Sequence, residues 1–406
     1  MGRFIVIVLD GFGAGCMEDV PQVRPADMGA HTWKHIAQAT PGLRLPNLEA
    51  LGLMNIADFE TDTMHKSPAA TWSRAALTHF GADTFWGHQE IMGTRPRKPR
   101  EEPFAIRLEA AKAALEEAGF QVQVHTGPQG GRLLVVNGAV TVADNIECDP
   151  GQAVNVTAAI DDIPFEDVLK IGRVVRGQVF VSRVITFGGR GVHLPNLLAA
   201  IEENPEAGLI GVNAPASGVY NDDYHCVHMG YGVDPATQVA TILPHNGTDV
   251  FLVGKVADIV ENPQPGHSFS IVPTPEVMEK TLQLIRDNPN AFICTNVQET
   301  DLCGHRENVG EYVRILREAD AGLTPILEAL APEDILVVMA DHGNDPTIGH
   351  PHHTREYVPL MVRGGQVRPG PFPVRGTLSD VGATVADYFH APAPENGKSF
   401  LGEILK

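Results

Sequence analysis

Short apolar runs, rich in β-branched residues and closed by polar or glycine-rich turns, recur along the chain as FIVIVLD, DVFLVGKVAD, AFICTNV and DILVVMADHG. Continuous apolar runs of this length are the pattern of parallel strands buried on both faces. Among them lie the stretches PEVMEKTLQLIRDNP and VGEYVRILREADAGLTPILEALAPED, whose apolar positions return at helical spacing. Strand alternating with helix predicts an α/β core on a doubly wound, mostly parallel sheet, covered on both faces.

The alternation breaks between residues 98 and 220. That segment opens with the basic, proline-punctuated TRPRKPREEP and closes with NAPASGVYNDD, both of linker-like composition. Inside it, RLEAAKAALEEAGF predicts a helix, and GRLLVVNGAVTVADN, QAVNVTAAI and GQVFVSRVITF predict strands. The expectation is an α+β domain at 98–220 inserted into a core made of 1–97 and 221–406. A chain of 406 residues exceeds one ordinary core, which agrees with that division.

Charge narrows the list of partners. With 50 acidic against 30 basic residues the formal net charge is -20, a sign that repels the phosphates of nucleic acids and of anionic lipid. Neither nucleic acid nor membrane is an expected partner, and no stretch is apolar for long enough to span a bilayer. The N-terminal MGRFIVIVLDGFG is too short in its apolar run for a signal peptide, and Val6 breaks the myristoylation pattern. Five scattered cysteines, Cys16, Cys148, Cys226, Cys294 and Cys303, offer neither CxxC spacing nor an even disulfide set. The reading is a cytoplasmic protein.

Candidate chemistry gathers where strands end, because the loops at the carboxyl edge of an open parallel sheet form its crevice. Asp10 closes the first run, Asp341 closes DILVVMAD, and Asp301 follows AFICTNV in QETDLCGH. An aspartate after a strand is commonly a turn or cap residue. Here each has company: His305 four residues after Asp301, His342 beside Asp341, then Asp345, His350, His352 and His353. Mixed nitrogen and oxygen donors in this number suffice for two divalent ions, with one of the three clustered histidines expected to bind metal. In HFGADTFWGHQEIMGT, Thr84 stands before a predicted helix, where free N–H groups attract anions. It is read either as a helix cap or as a nucleophile activated by a metal. GFGAG after the first run lacks the spacing of a dinucleotide loop, and neither a P-loop nor a GxSxG elbow occurs.

The motifs VLDGFG, GADTFWGHQEIMG, VGKVADI, DLCGHREN, MADHGNDPT and HHTREYVPL resemble the alkaline phosphatase superfamily, and most closely its phosphopentomutases. The resemblance implies an alkaline phosphatase-like core with the insertion as a cap domain. It assigns Asp10, Asp341 and His342 to one metal, and Asp301, His305 and His353 to a second. His353 is chosen because it precedes TREYVP. Thr84 becomes the nucleophile that carries phosphate, and the two divalent ions are expected to be Mn2+. In SRVITF, Arg183 and Ile185 match residues that contact the sugar phosphate, and Arg190 in the rewritten loop GGRGVHLPN stands either as a replacement phosphate ligand or as an exposed residue. One departure is plain: the family's aspartate stands five residues before its histidine, whereas here that position is Thr300 and the carboxylate is Asp301.

The implied activity is that of a phosphomutase acting on a small phosphosugar, of the ribose 1-phosphate and ribose 5-phosphate type, with a bisphosphate sugar as possible primer. The alternatives are a phosphatase or phosphodiesterase on the same scaffold, and a metal-binding module without catalysis.

Overall fold

The computed structural model describes residues 2–147 and 150–406. They fall into two compact units, Met1–Pro96 with Asp234–Lys406, and Arg97–Val233.

In the first unit a sheet runs in the order Ser268–Phe269, Asp249–Val253, Ala291–Val297, Phe4–Leu9, Ile335–Met339, Val358–Gly364, Thr71–Ala75, Gly370–Pro371. The four apolar runs of the sequence are thus its contiguous centre, all parallel. Val358–Gly364 is antiparallel to both its neighbours. Every residue of Phe4–Leu9, Ala291–Val297 and Ile335–Met339 is buried, which is why these runs carry no polar alternation. Register then fixes the site: Leu9 lies beside Val297 and Val8 beside Met339, so Asp10, Asp301 and Asp341 emerge together at the carboxyl edge. DVFLVGKVAD is not one strand. It ends at Val253, and Gly254 at φ +81°, packed against Asn296, turns the chain so that Lys255 heads the helical turn Val256–Ile259.

Helix Thr84–Ile91 is buried along its whole length. Gly87 lets it approach the sheet edge, since a Cβ there would lie 2.7 Å from the Asp341 carbonyl oxygen and 2.8 Å from its Cβ. The helices Thr274–Asp287 and Val309–Ala329 bury one apolar face each, and the second runs on past Pro325. No helix among the described residues is long and apolar enough to cross a membrane.

The second unit is a sheet in the order His225–Gly230, Arg183–Gly189, Ala153–Ala159, Val140–Asp144, Arg132–Val136, Val122–Thr126. Helices Leu108–Glu117 and Phe165–Gln178 close an apolar core with it. This unit continues to Val233, beyond the expected end at 220, because His225–Gly230 pairs antiparallel with Arg183–Gly189. GQVFVSRVITF, expected as one strand, begins inside a helix. Its strand starts only at Arg183, after a turn whose carbonyls at Val179 and Val181 accept from Arg176. The stretch NAPASGVYNDD, read as a linker, contains the short helix Ala214–Ser217. Cys148 lies outside the described residues, and the other four cysteines are free thiols.

Because Gly87 faces Asp341 at contact distance, Gly87→Ala should lower stability by about 1–3 kcal/mol through overpacking, measured by urea unfolding. An unchanged unfolding midpoint would show that the helix can shift away freely.

Candidate active site

Asp10, Asp341 and His342 are all fully buried at the sheet edge. His342 Nδ1 donates to the Gly343 carbonyl at 3.0 Å, which leaves Nε2 turned inward, 3.3 Å from Asp10 Oδ1 and 3.5 Å from Asp341 Oδ2. Asp341 Oδ1 accepts the Gly11 N–H, but its Oδ2 is buried without an aligned hydrogen bond.

The second cluster is Asp301, His305 and His353. Asp301 and His305 lie on helix Glu299–His305 one turn apart, so both side chains share a face. His305 Nδ1 donates to the Pro351 carbonyl at 2.7 Å and His353 Nδ1 to that of Ala82 at 3.0 Å. Their Nε2 atoms are left 3.0 Å from each other, and each sits beside an Asp301 oxygen. With Nδ1 of each ring donating to a carbonyl, the two Nε2 atoms face each other, an arrangement that a shared cation or proton holds. With the ligand atoms of each cluster within 4.8 Å of one another and an orphaned carboxylate oxygen in the first, the residues fit divalent cations.

Thr84 opens its helix, and the cap is its neighbour: the Asp83 side chain accepts from the Trp86 N–H at 3.1 Å. That leaves the Thr84 hydroxyl free to face the first cluster, 2.7 Å from His342 Nε2 and 3.2 Å from Asp10 Oδ1.

The model of the Metalloenzyme superfamily matches residues 2–393. The chain belongs to that superfamily. Within it this metalloenzyme is phosphopentomutase-like. It is 32% identical over 421 residues to the phosphopentomutase of Desulfitobacterium hafniense (strain DSM 10664 / DCB-2), covering 100% of both chains. It is 30% identical over 411 residues to that of Symbiobacterium thermophilum, covering 100% of this chain and 99% of the relative. Among solved structures, a phosphoglycerate mutase of Leishmania mexicana is similar over 98% of this chain and 97% of its own, with a TM-score of 0.48 and 13% identity.

Several residues of the metalloenzyme site escaped the sequence reading. Lys255 Nζ reaches Asp10 Oδ2 at 3.2 Å, Asp301 Oδ2 at 3.3 Å and Thr84 Oγ1 at 3.1 Å. Asn296 donates to Asp10 Oδ2 at 3.1 Å, and Asn344 to Asp301 Oδ1 at 2.8 Å. His88, fully buried, donates from Nδ1 to the Thr84 carbonyl and lies 3.2 Å from Asp341 Oδ2. The signals were present: a lysine breaking the apolar run VGKVAD, and an asparagine inside the fully buried run AFICTNV. Thr300, in the place of the family's aspartate, donates to the Asp10 carbonyl at 2.6 Å and so ties the two strand ends together.

Charges in this space shape one another. Burial alone would raise Asp301, but hydrogen bonds from His305 and His353 outweigh it and hold the carboxyl far below the ordinary range. Burial would also raise Asp341, and His342 and His88 reverse it. For His342, burial is outweighed by Asp341, Asp10 and Asp301, which push the imidazole up to about 10. Lys255 is likewise raised against its burial by the same three carboxylates. The whole pocket favours positive charge.

The remaining histidines of the cluster separate cleanly. His352 is exposed, His350 faces Asp27, and Asp345 is bound by His35, His31 and Thr347 away from both metal positions. In the second unit, Arg183 and Ile185 alternate onto one face of their strand, and Arg190 is exposed and held by Asp223 at 2.7 Å and Asp161 at 2.8 Å.

Asp83→Ala should lower stability by about 1 kcal/mol through the lost cap, in chemical denaturation of the metal-free protein. Thr84→Val, which replaces the hydroxyl by a methyl group, should lower it less. The reverse order would return the cap to Thr84.

Proposed function

We propose that this metalloenzyme is a phosphomutase that moves a phosphoryl group between hydroxyls of a pentose phosphate, of the ribose 1-phosphate and ribose 5-phosphate type, through a phosphothreonine at Thr84. The observation that carries the reading is the setting of Thr84 Oγ1, in contact with His342 Nε2, Asp10 and Lys255 at the first turn of a helix. The relatives named phosphopentomutase, similar along their whole length, support the pentose.

Asp10, Asp341 and His342 would hold one divalent ion, and Asp301, His305 and His353 another. Oxygen and imidazole donors without thiolate suit Mn2+. Bound there, such ions supply positive charge to the phosphoryl oxygens and favour ionisation of the threonine hydroxyl. The chain does the rest. Thr84 Oγ1 forms a bond to phosphorus as the bond to the substrate oxygen breaks, and a second sugar hydroxyl then reverses the exchange. Lys255 and the N–H groups at the start of Thr84–Ile91 offset the phosphate charge on the threonine. Transfer to a sugar rather than to water requires a dry site, and the inserted unit is the candidate lid. Arg183 and Ile185 are its proposed contacts to the sugar phosphate. Arg190 could join them only by releasing Asp161 and Asp223, so its part is secondary. A bisphosphate sugar would load Thr84, and a cytoplasmic location fits the substrate.

The test follows ribose 1-phosphate by phosphorus NMR with Mn2+ and a bisphosphate primer. Ribose 5-phosphate should appear, Thr84→Ala should abolish it with the fold intact, and Thr84→Ser should retain part. Inorganic phosphate as sole product would make the protein a hydrolase, and full activity of Thr84→Ala would end the covalent route. In a Mn2+ titration, His353→Ala should lose one ion where His352→Ala keeps both, and equal losses would overturn the choice of His353.

A further inference from the structure

The second metal position rests on His353, yet that residue lies in a loop that begins at Gly349 and has exposed residues on either side of His350. Something must hold its ring in place. Among the residues that grip the loop from outside the site is Asp27, at the end of the turn Pro25–Asp27.

Asp27 is 0% exposed although it is charged and touches neither proposed metal position. Its Oδ2 accepts the Arg355 backbone N–H at 2.8 Å, two residues after His353, and the Arg24 Nε at 2.6 Å. Arg24 in turn donates from Nη2 to the His353 carbonyl at 2.8 Å. The other oxygen, Oδ1, faces His350 Nε2 at 3.3 Å. The His350 ring accepts the His352 N–H on Nδ1 at 3.3 Å, and its Nε2 and Asp27 Oδ1 are close but without an aligned hydrogen bond. Between these grips the Pro351 carbonyl accepts from His305 Nδ1, fixing the other histidine of the same cluster. One buried carboxylate therefore reaches the loop before His353, at it, and after it.

We infer that Asp27, acting through Arg24 and its own bond to the Arg355 N–H, is the positioning residue for the second metal position. This rests on the two-metal reading above. Residues that orient metal ligands without touching the metal typically alter affinity by about 10–100-fold when replaced. A carboxylate that only stapled the fold would lower stability without choosing between the two ions.

The experiment titrates Mn2+ into the full-length protein by calorimetry and counts free Mn2+ by electron paramagnetic resonance. The wild type should bind two ions. Asp27→Asn keeps the shape but puts an amide donor against N–H groups. It should leave one affinity unchanged and weaken the other by about 10–100-fold, with turnover recovered at raised Mn2+. Arg24→Gln, which leaves Asp27 in place and is partly exposed, should weaken the same ion, and serves if Asp27→Asn does not fold. If the wild type binds two ions and both Asp27→Asn and Arg24→Gln bind both as tightly, the inference fails while the two-metal reading stands. A wild type that binds fewer than two ions overturns both together.

Discussion

Three carboxylates, Asp10, Asp301 and Asp341, end at one edge of one sheet, and all three are buried. Like charges brought together away from water repel strongly, and leaving a buried charge unpaired is costly. The arrangement persists only with compensating positive charge, and the rest of the site is organised to supply it. Lys255 lies against two of the carboxylates and the threonine hydroxyl, and three imidazoles turn their Nε2 atoms inward. The residual imbalance suits divalent cations, and membership of the metalloenzyme superfamily agrees with it.

Each imidazole faces inward because its other nitrogen is tied to a backbone carbonyl, at Gly343, Pro351 and Ala82. Gly343 and Pro351 lie in the connection after Ile335–Met339 and Ala82 in the loop before Thr84–Ile91, so the orientation of the donors depends on how these two loops are themselves fixed. Glu356 helps fix one of them, accepting from the Gly15 and Thr32 backbone and from the Thr32 and Thr354 hydroxyls. Arg355 does the same for the approach to Thr84, donating to the carbonyls of Leu77, His79 and Gly81. The strand end that carries His353 and the loop that carries Thr84 are therefore stitched together, and a shift in one is felt by the other.

Much of the core was legible in the sequence because burial on both faces leaves an unmistakable apolar run, and the carboxyl ends of such runs are where chemistry collects. The assignment of Asp10, Asp301, Asp341 and their histidines to two groups came from motif resemblance, and the geometry brings the same residues together. The inserted unit was less legible. Its hairpin Ile201–Asn204 with Leu209–Val212 carries three consecutive polar residues, Glu202, Glu203 and Asn204, on a partly exposed strand, and its last strand, HCVHMG, is rich in histidine and sulfur rather than in β-branched residues.

The sequence by itself determined the central strands, the long helices of the core and the kinds of side chain offered at the sheet edge, because backbone periodicity and burial act over a few residues. It left open whether Thr84 caps its helix, what turns His353 inward, and what neutralises the carboxylates. Those are settled by contacts across long stretches of chain: Lys255 meets Thr84 over 171 residues, and Asp27 meets Arg355 over 328. No local pattern encodes such pairs, since their partners become neighbours only when the sheet register and the packing of the loops are complete.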